Sequence, residues 1–415
     1  MKKKLALLVV RNNYAELDWI LPILYKIKNK YKIITFFQSK KIYKKFSNEN
    51  ISLFKKWKKI NSYHFFPPFF SSILIKFLSF FIINKSFENQ INEISRKLIY
   101  SEEYLKNKLK NKNIPNRKIN LIFHDLGKNT AWINTFEKND KNTKLIRYMH
   151  STVPRGNFKK DKDKNWSWKN KKVDKKNIKF QKNLFILAST QNDLSDYQNS
   201  YDKKNIYVVG YPRYEKKWIE SFDTYKGNKR KRNIILVGTK QYKEHQLPEI
   251  QNQIRSIMNV TKKIKNSLTI FKPHPAQNIL DLKDILKNFR NDSWEITNNH
   301  IFNFNNLPKI FIGFHRTSAA LDALAIKLPC IKLWSWKAKD KSDIEEQIYI
   351  KRYGIHNSIL TELNLAKLVK NETELEYYTN FFIKNPKSKI WFKQQRSFQK
   401  LNINNNLNIF LKKII

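Results

Sequence analysis

A chain of 415 residues exceeds the size at which one apolar core stops growing, so two domains are expected. Its 41% hydrophobic and 14% aromatic content excludes a disordered polymer, and its single cysteine, Cys330, excludes a disulfide framework or a thiolate metal site and fits a reducing, cytoplasmic setting. The net charge of +48 invites a nucleic-acid reading, but lysine outnumbers arginine roughly five to one, whereas base readout favours arginine. An AT-rich coding bias at permissive surface positions accounts for more of the charge, with attraction to an anionic membrane surface or polymer next and nucleic acid last.

In chain order, Met1-Lys2-Lys3-Lys4 is followed by the short apolar run Leu5–Val10. That run is too short for a signal peptide and suits a first buried strand. Trp19–Lys28 has helical spacing, and Lys32–Phe37 reads as a second strand. Phe69–Ile83 is apolar but broken by Lys76 and preceded by Pro67-Pro68, short of the roughly 20 residues a spanning helix needs. It reads as a core helix or an in-plane membrane contact. Phe87–Lys110 is the next helical stretch, followed by the strand-like runs Leu121–His124, Leu145–His150, Leu184–Ala188 and Ile206–Val209. The second half repeats the scheme with runs at Ile234–Val237, Leu268–Phe271, Ile310–Ile312 and Cys330–Leu333, and helices at Glu249–Ile264 and Ser318–Ile326.

Continuous apolar runs are what parallel strands covered on both faces require, so the alternation predicts α/β architecture with doubly wound sheets. Five of the scarce glycines, Gly127, Gly156, Gly210, Gly238 and Gly313, fall at or just beyond strand ends, where such sheets bind ligands. The basic run Lys226–Arg232 marks a boundary, giving a first domain over 1–225 and a second over 230–385. The remaining 386–415 has helical spacing from Ile390 onward and is expected to pack back across the first domain. Phe158–Lys182, with Trp166 and Trp168, is too long for an ordinary connection and reads as a mobile or acceptor-facing loop.

Four segments can carry chemistry. Phe271-Lys272-Pro273-His274-Pro275 follows a strand; two prolines fix the backbone around His274, which with Lys272 can meet a phosphate. Ile312 to Ala325 runs from strand through Gly313 into a helix, with His315 and Arg316 at the mouth and Thr317 or Ser318 as its cap, an arrangement that favours an anion. Tyr148 to Gly156 places His150 at a strand end, suited to removing a proton near neutral pH, and Asp125, after His124, is the rival base. Val208 to Glu215 holds Gly210, Tyr211 and Arg213 in a proline-stiffened turn near the boundary, where a hinge and cleft would meet.

The order and spacing of HSTVPRG, GYPRYE, KPHP and RTSAALDALA resemble the CDP-glycerol glycerophosphotransferase group and related GT-B capsule enzymes. The likeness implies a GT-B fold with a cleft between two Rossmann-type domains, His150 as catalytic histidine, His274 beside the donor phosphates, and Thr317 and Ser318 as paired hydroxyls at the phosphate-binding helix. The HP turn and hydroxyl pair are also similar to those of bacterial sialyltransferases, whose acidic base segment Asp125-Leu126-Gly127 matches in part. Ser151, His315 and Arg316 depart from the glycerophosphotransferase pattern. Walker A, Gly-x-Gly-x-x-Gly, nucleophile-elbow and His-Glu-x-x-His motifs are absent from the sequence, so neither a cofactor nor a metal is expected.

The expected function is transfer of a sugar or polyol phosphate from a CMP- or CDP-linked donor to a lipid-linked or polysaccharide acceptor, with peripheral contact at the inner membrane face. Within enzymes the rival is a nucleotide-sugar epimerase of the same fold. Outside them it is a non-catalytic protein that binds anionic polymers.

Overall fold

The computed structural model describes residues 3–10, 17–66, 119–124, 143–148, 158–160, 166–168, 183–189, 202–227, 233–239, 248–274, 279–314, 317, 319–333, 359–401 and 407–415. The stretches Phe69–Ile83 and Phe87–Lys110 lie outside them. Among the described residues no helix is long and apolar enough to cross a membrane.

The first domain is built on a seven-stranded sheet made of β1 (Lys4–Val10), β2 (Tyr31–Phe37), β3 (Asn61–Phe65), β4 (Ile119–His124), β5 (Lys144–Tyr148), β8 (Leu184–Ala188) and β9 (Ile206–Val208). A separate antiparallel pair, β6 (Phe158–Lys160) and β7 (Trp166–Trp168), is inserted between β5 and β8. The sheet order is β3-β2-β1-β4-β5-β8-β9 and every pairing in it is parallel. β1 shows why its apolar run is unbroken. Ala6, Leu8 and Val10 enter the core on one face, and Leu5, Leu7 and Val9 enter the core on the other. Helix α1 (Leu17–Ile27) is buried along most of its surface. Its neighbours α2 (Lys40–Glu49) and α3 (Ile51–Ile60) are lysine-rich and are started by the caps Ser39 and Asn50.

After helix α4 (Lys216–Glu220) the second domain forms a six-stranded parallel sheet. It contains β10 (Asn233–Gly238), β11 (Ser267–Lys272), β12 (Trp294–Ile296), β13 (Pro308–Phe314), β14 (Cys330–Leu333) and β15 (Lys367–Val369), ordered β12-β11-β10-β13-β14-β15. Its helices are α5 (Pro248–Lys262), α6 (Ile279–Leu286), α7 (Ala319–Ala325), α8 (Ile359–Glu362) and α9 (Glu372–Lys384). Both sheets follow the doubly wound order, reversing direction between β1 and β4 and between β10 and β13. The fold is therefore α/β with two Rossmann-like domains, as the pattern of apolar runs predicts.

The C-terminal tail spans both domains. Helix α10 (Lys389–Leu401) is tied to the second: Gln394 accepts from the Cys330 amide at 3.0 Å and donates to the Cys330 carbonyl at 2.8 Å. Helix α11 (Leu407–Ile414) lies on the first, with Phe410 against Tyr207 at 5.4 Å. Tyr31 and Lys144 donate to the last carbonyls, at Ile415 and Ile414, so two first-domain side chains cap this helix end.

A buried charge cluster joins the domains. The chain leaves β9 through Gly210, whose φ of 68° lies in the left-handed region that glycine tolerates best. Tyr211 then leads into the 3-10 turn Pro212–Tyr214, which delivers Arg213 between Asp18 of α1 at 2.5 Å and Asp322 of α7 at 2.7 Å. Asp18 also accepts from His300 Nε2 at 2.9 Å; the Phe302 amide donates to His300 Nδ1, which places the ring proton on Nε2. Tyr214 donates to Asp322 at 3.0 Å, and the Arg213 guanidinium lies 4.4 Å from the Trp19 ring centre.

Burial pushes the Asp18 carboxyl up, but Arg213, His300 and Lys272 outweigh it and hold it below the usual range. Burial raises the Asp322 carboxyl, with Arg213 opposing and Asp18 reinforcing. Asp18 therefore contributes stability above the ordinary carboxylate pKa of about 4, and that contribution disappears as pH falls below it. Asp322, shifted upward, carries a cost at neutral pH that protonation relieves. Arg213→Met should destabilise the protein by about 3–5 kcal/mol, because two carboxylates lose their buried partner. In urea unfolding at pH 7, Asp18→Asn should cost more than Asp322→Asn, and only the former should flatten the loss of stability below pH 4. Equal costs would contradict the assignment of the two carboxylates.

Candidate functional site

The strands of the second domain put four residues in one transverse row at the carboxyl edge. Gly238 of β10 is in register with Lys272 of β11 on one side and Gly313 of β13 on the other, and Gly313 is in register with Lys332 of β14. The two glycines thus face each other where the strand order reverses, the position at which open α/β sheets take their ligands. Both are sterically required. A Cβ at 238 would stand 2.6 Å from Phe311 Cζ, and one at 313 would stand 2.9 Å from Phe311 Cε1 and from Thr317 Cγ2. The ring of Phe311 fills the space those side chains would need.

The flanking lysines differ in role. Lys332 is fully buried and its ammonium donates to the carbonyl of Phe314 at 3.1 Å, with that of Thr317 at 3.5 Å. It holds the turn between β13 and α7 from beneath. Lys272 keeps a partial opening to solvent at the sheet edge. Burial pushes its ammonium down to about 8, while Glu49 of α2, Asp18 and Asp322 pull the other way. Lys272 is thus a cation of adjustable charge, attracted by carboxylates from both domains.

Of the residues read from the sequence, the structure places Lys272 and His274 together at the end of β11, with Pro273 buried between them and His274 half-buried. Thr317 is buried, and its hydroxyl accepts from the Ala319 amide at 3.3 Å, so it starts α7. Gly210, Tyr211 and Arg213 belong to the junction between domains: Tyr211 packs on Trp19 at 6.3 Å and Arg213 is enclosed by its carboxylates. His150, Asp125, His315, Arg316 and Ser318 lie outside the described residues. Among the described residues no group of three or more His, Cys, Asp or Glu could hold a metal ion.

Three members of the junction escaped sequence reading. Asp18 and His300 sit in segments without a motif, and Asp322 lies inside the Thr317 helix segment with no role assigned. The available signal was weak: an isolated acid, Asp18, in the first turn of an otherwise apolar helix, and another, Asp322, in an alanine-rich one.

No family model matches the sequence, and neither does any curated protein. Solved structures do resemble the fold. UDP-GlcNAc 2-epimerase from Neisseria meningitidis, bound to UDP-GlcNAc, is similar at a TM-score of 0.54 and 12% identity, covering 99% of each chain. MnaA of S. aureus, solved with UDP, gives 0.54 at 10% identity over 99% of this chain and 98% of that one. CalG4, the calicheamicin glycosyltransferase, gives 0.51 at 9% identity over 100% and 99%. At such identities the likeness is one of fold, and it is a GT-B likeness along the whole chain.

Proposed function

We propose that the protein is a transferase that moves a sugar or polyol phosphate from a nucleotide-activated donor to a surface-polysaccharide or teichoic-acid-like acceptor. The observation that carries this reading is Lys272 beside the Gly238–Gly313 pair: a desolvated cation at the switch point of a Rossmann-like sheet, two residues before His274. The donor phosphates would lie across this edge. There the Lys272 ammonium and the His274 imidazole offset the charge that develops on the leaving nucleotide, without a metal. His315, Arg316, Thr317 and Ser318 would line the same phosphates, and His150 or Asp125 would remove the acceptor proton. The motif resemblance favours cytidine as the base and a lipid-linked or polymeric acceptor at the inner membrane face.

The second reading, a nucleotide-sugar epimerase, draws support from the similarity in fold to UDP-GlcNAc 2-epimerases. An acceptor is the discriminator. Turnover of a nucleotide sugar without any acceptor would favour the epimerase.

Two outcomes test the donor site. Thermal melting against CMP, CDP, UDP, GDP and ADP should show a rise with one base, and His274→Ala should lower turnover by about a hundredfold or more with the fold intact. Near-normal turnover in that variant would remove His274 from the reaction. The pH dependence of nucleotide binding tests Lys272 separately. An anion binds the protonated ammonium, so affinity should change little between pH 7 and 8 and fall by about tenfold per unit above pH 8, as binding must recharge the lysine. Lys272→Met should weaken binding at pH 7 and remove that slope. It should also raise the melting temperature of the free protein at pH 7, because folding depresses this ammonium's pKa and the charged form is a cost.

A further inference from the structure

The C-terminal tail carries a surface that the transferase reading does not use. From Tyr377 to Ile415 the sequence has eight lysines and arginines and no acidic residue, in a chain with 34 acidic residues overall. On α10, Lys389, Lys393, Arg396 and Lys400 recur at helical spacing and all are exposed, while Gln394 and Phe398 on the other side are buried. On α11, Lys412 and Lys413 are exposed opposite the buried Leu407, Phe410 and Ile414.

Apolar side chains are mixed into this basic face. Among the described residues five large hydrophobic side chains are exposed, and two of them, Phe392 and Ile409, fall in the tail helices α10 and α11. Phe392 is 56% exposed on α10, one residue from Lys393 and four from Arg396. It meets Trp391 edge-on at 4.8 Å, and Trp391 is itself anchored by its indole N–H to the Lys327 carbonyl at 2.9 Å. At the start of α10 a shallow cavity of about 520 Å³ is lined by Phe381, Pro386 and Ile390 together with Lys387 and Lys389.

The helix is also held firmly. Trp391, Gln394 and Gln395 each bond the second domain's backbone, at Lys327, Cys330 and Leu324. A basic helix face with exposed aromatic and aliphatic side chains is matched to an anionic bilayer, where cations meet head groups and apolar groups enter the interface. A soluble polyanion without bases or apolar groups, such as inorganic polyphosphate, would use the cations but leave Phe392 without a role.

We propose that the outer face of α10, centred on Phe392 and Lys393 and continued by Ile409 and Lys412 on α11, docks the protein on an anionic phospholipid surface. The test is co-sedimentation of the full chain with phosphatidylcholine vesicles and with phosphatidylcholine–phosphatidylglycerol vesicles, at low and high salt, without any substrate. Wild type should bind only the anionic vesicles, and binding should weaken with salt. Phe392→Ser and the double variant Lys393→Glu with Arg396→Glu should each keep the wild-type melting temperature, since the altered side chains are exposed. The double variant should lose at least about tenfold in vesicle partitioning, and Phe392→Ser should lose affinity for vesicles but not for inorganic polyphosphate used as soluble polyanion. Equal vesicle binding by the double variant, equal binding of wild type to neutral vesicles, or vesicle binding unchanged by Phe392→Ser would each overturn the proposal. Because the measurement needs no nucleotide, its outcome is independent of the donor-site assignment.

Discussion

The arrangement of the two domains rests on one guanidinium. Arg213 comes from the 3-10 turn after β9, Asp18 from the first domain's first described helix and Asp322 from a helix of the second domain; Arg213 and Asp18 are buried and Asp322 is largely so. A buried cation with one carboxylate on each side cannot exchange a partner for water cheaply, so any relative motion that lengthens one contact must keep the cluster covered. Trp19, Tyr214 and Phe302 provide that cover, all within cation–π range of the guanidinium. His300 and Tyr214 then use further carboxylate lone pairs, while Asp18 Oδ1 and Arg213 Nε remain without a hydrogen-bond partner. The cluster is tight without being saturated, which suits a junction more than a rigid core.

The same carboxylates reach the candidate site. Asp18 and Asp322, which fix Arg213, are also among the groups that pull on Lys272. The carboxylates at the junction thus also bear on how readily Lys272 holds its proton. The link between Lys272 and the junction is one of shared electrostatics in a desolvated region.

The parts legible in the sequence were those whose cause is local. The central strands announce themselves because both faces are covered and no polar residue interrupts the apolar run, as in β1 from Leu5 onward and in β8. The short β3, β12 and β15 did not, because each is an edge or near-edge strand with mixed residues whose identity as a strand depends on its neighbour. Helices α2 and α3 were hidden by their lysines; α2 has a single buried residue, Phe46, and the aromatic cluster around Phe37, Phe54 and Trp57, with Leu53 and Ile60 of α3, pins the pair down. At the site, Gly238, Gly313 and the Lys272–His274 turn were visible as punctuation in a glycine-poor chain. Their mutual register was not, because it is set by parallel pairing between segments far apart in sequence. The Asp18–Arg213–Asp322 cluster was beyond reach for the same reason: three unremarkable charges acquire meaning only when the two domains meet.

The choice of cation at the two desolvated positions follows from what each must do. A guanidinium stays charged under any burial a protein can impose, and here its Nη2 meets both carboxylates, so in a chain so rich in lysine an arginine stands at the junction. An ammonium yields its proton when desolvated, and Lys272 is held close to that point. A lysine at the junction would let the clasp loosen with pH; an arginine at the sheet edge would fix the site's charge whether or not a ligand was present. The permanent cation thus holds the domains, and the adjustable one faces the place where an anion would come and go.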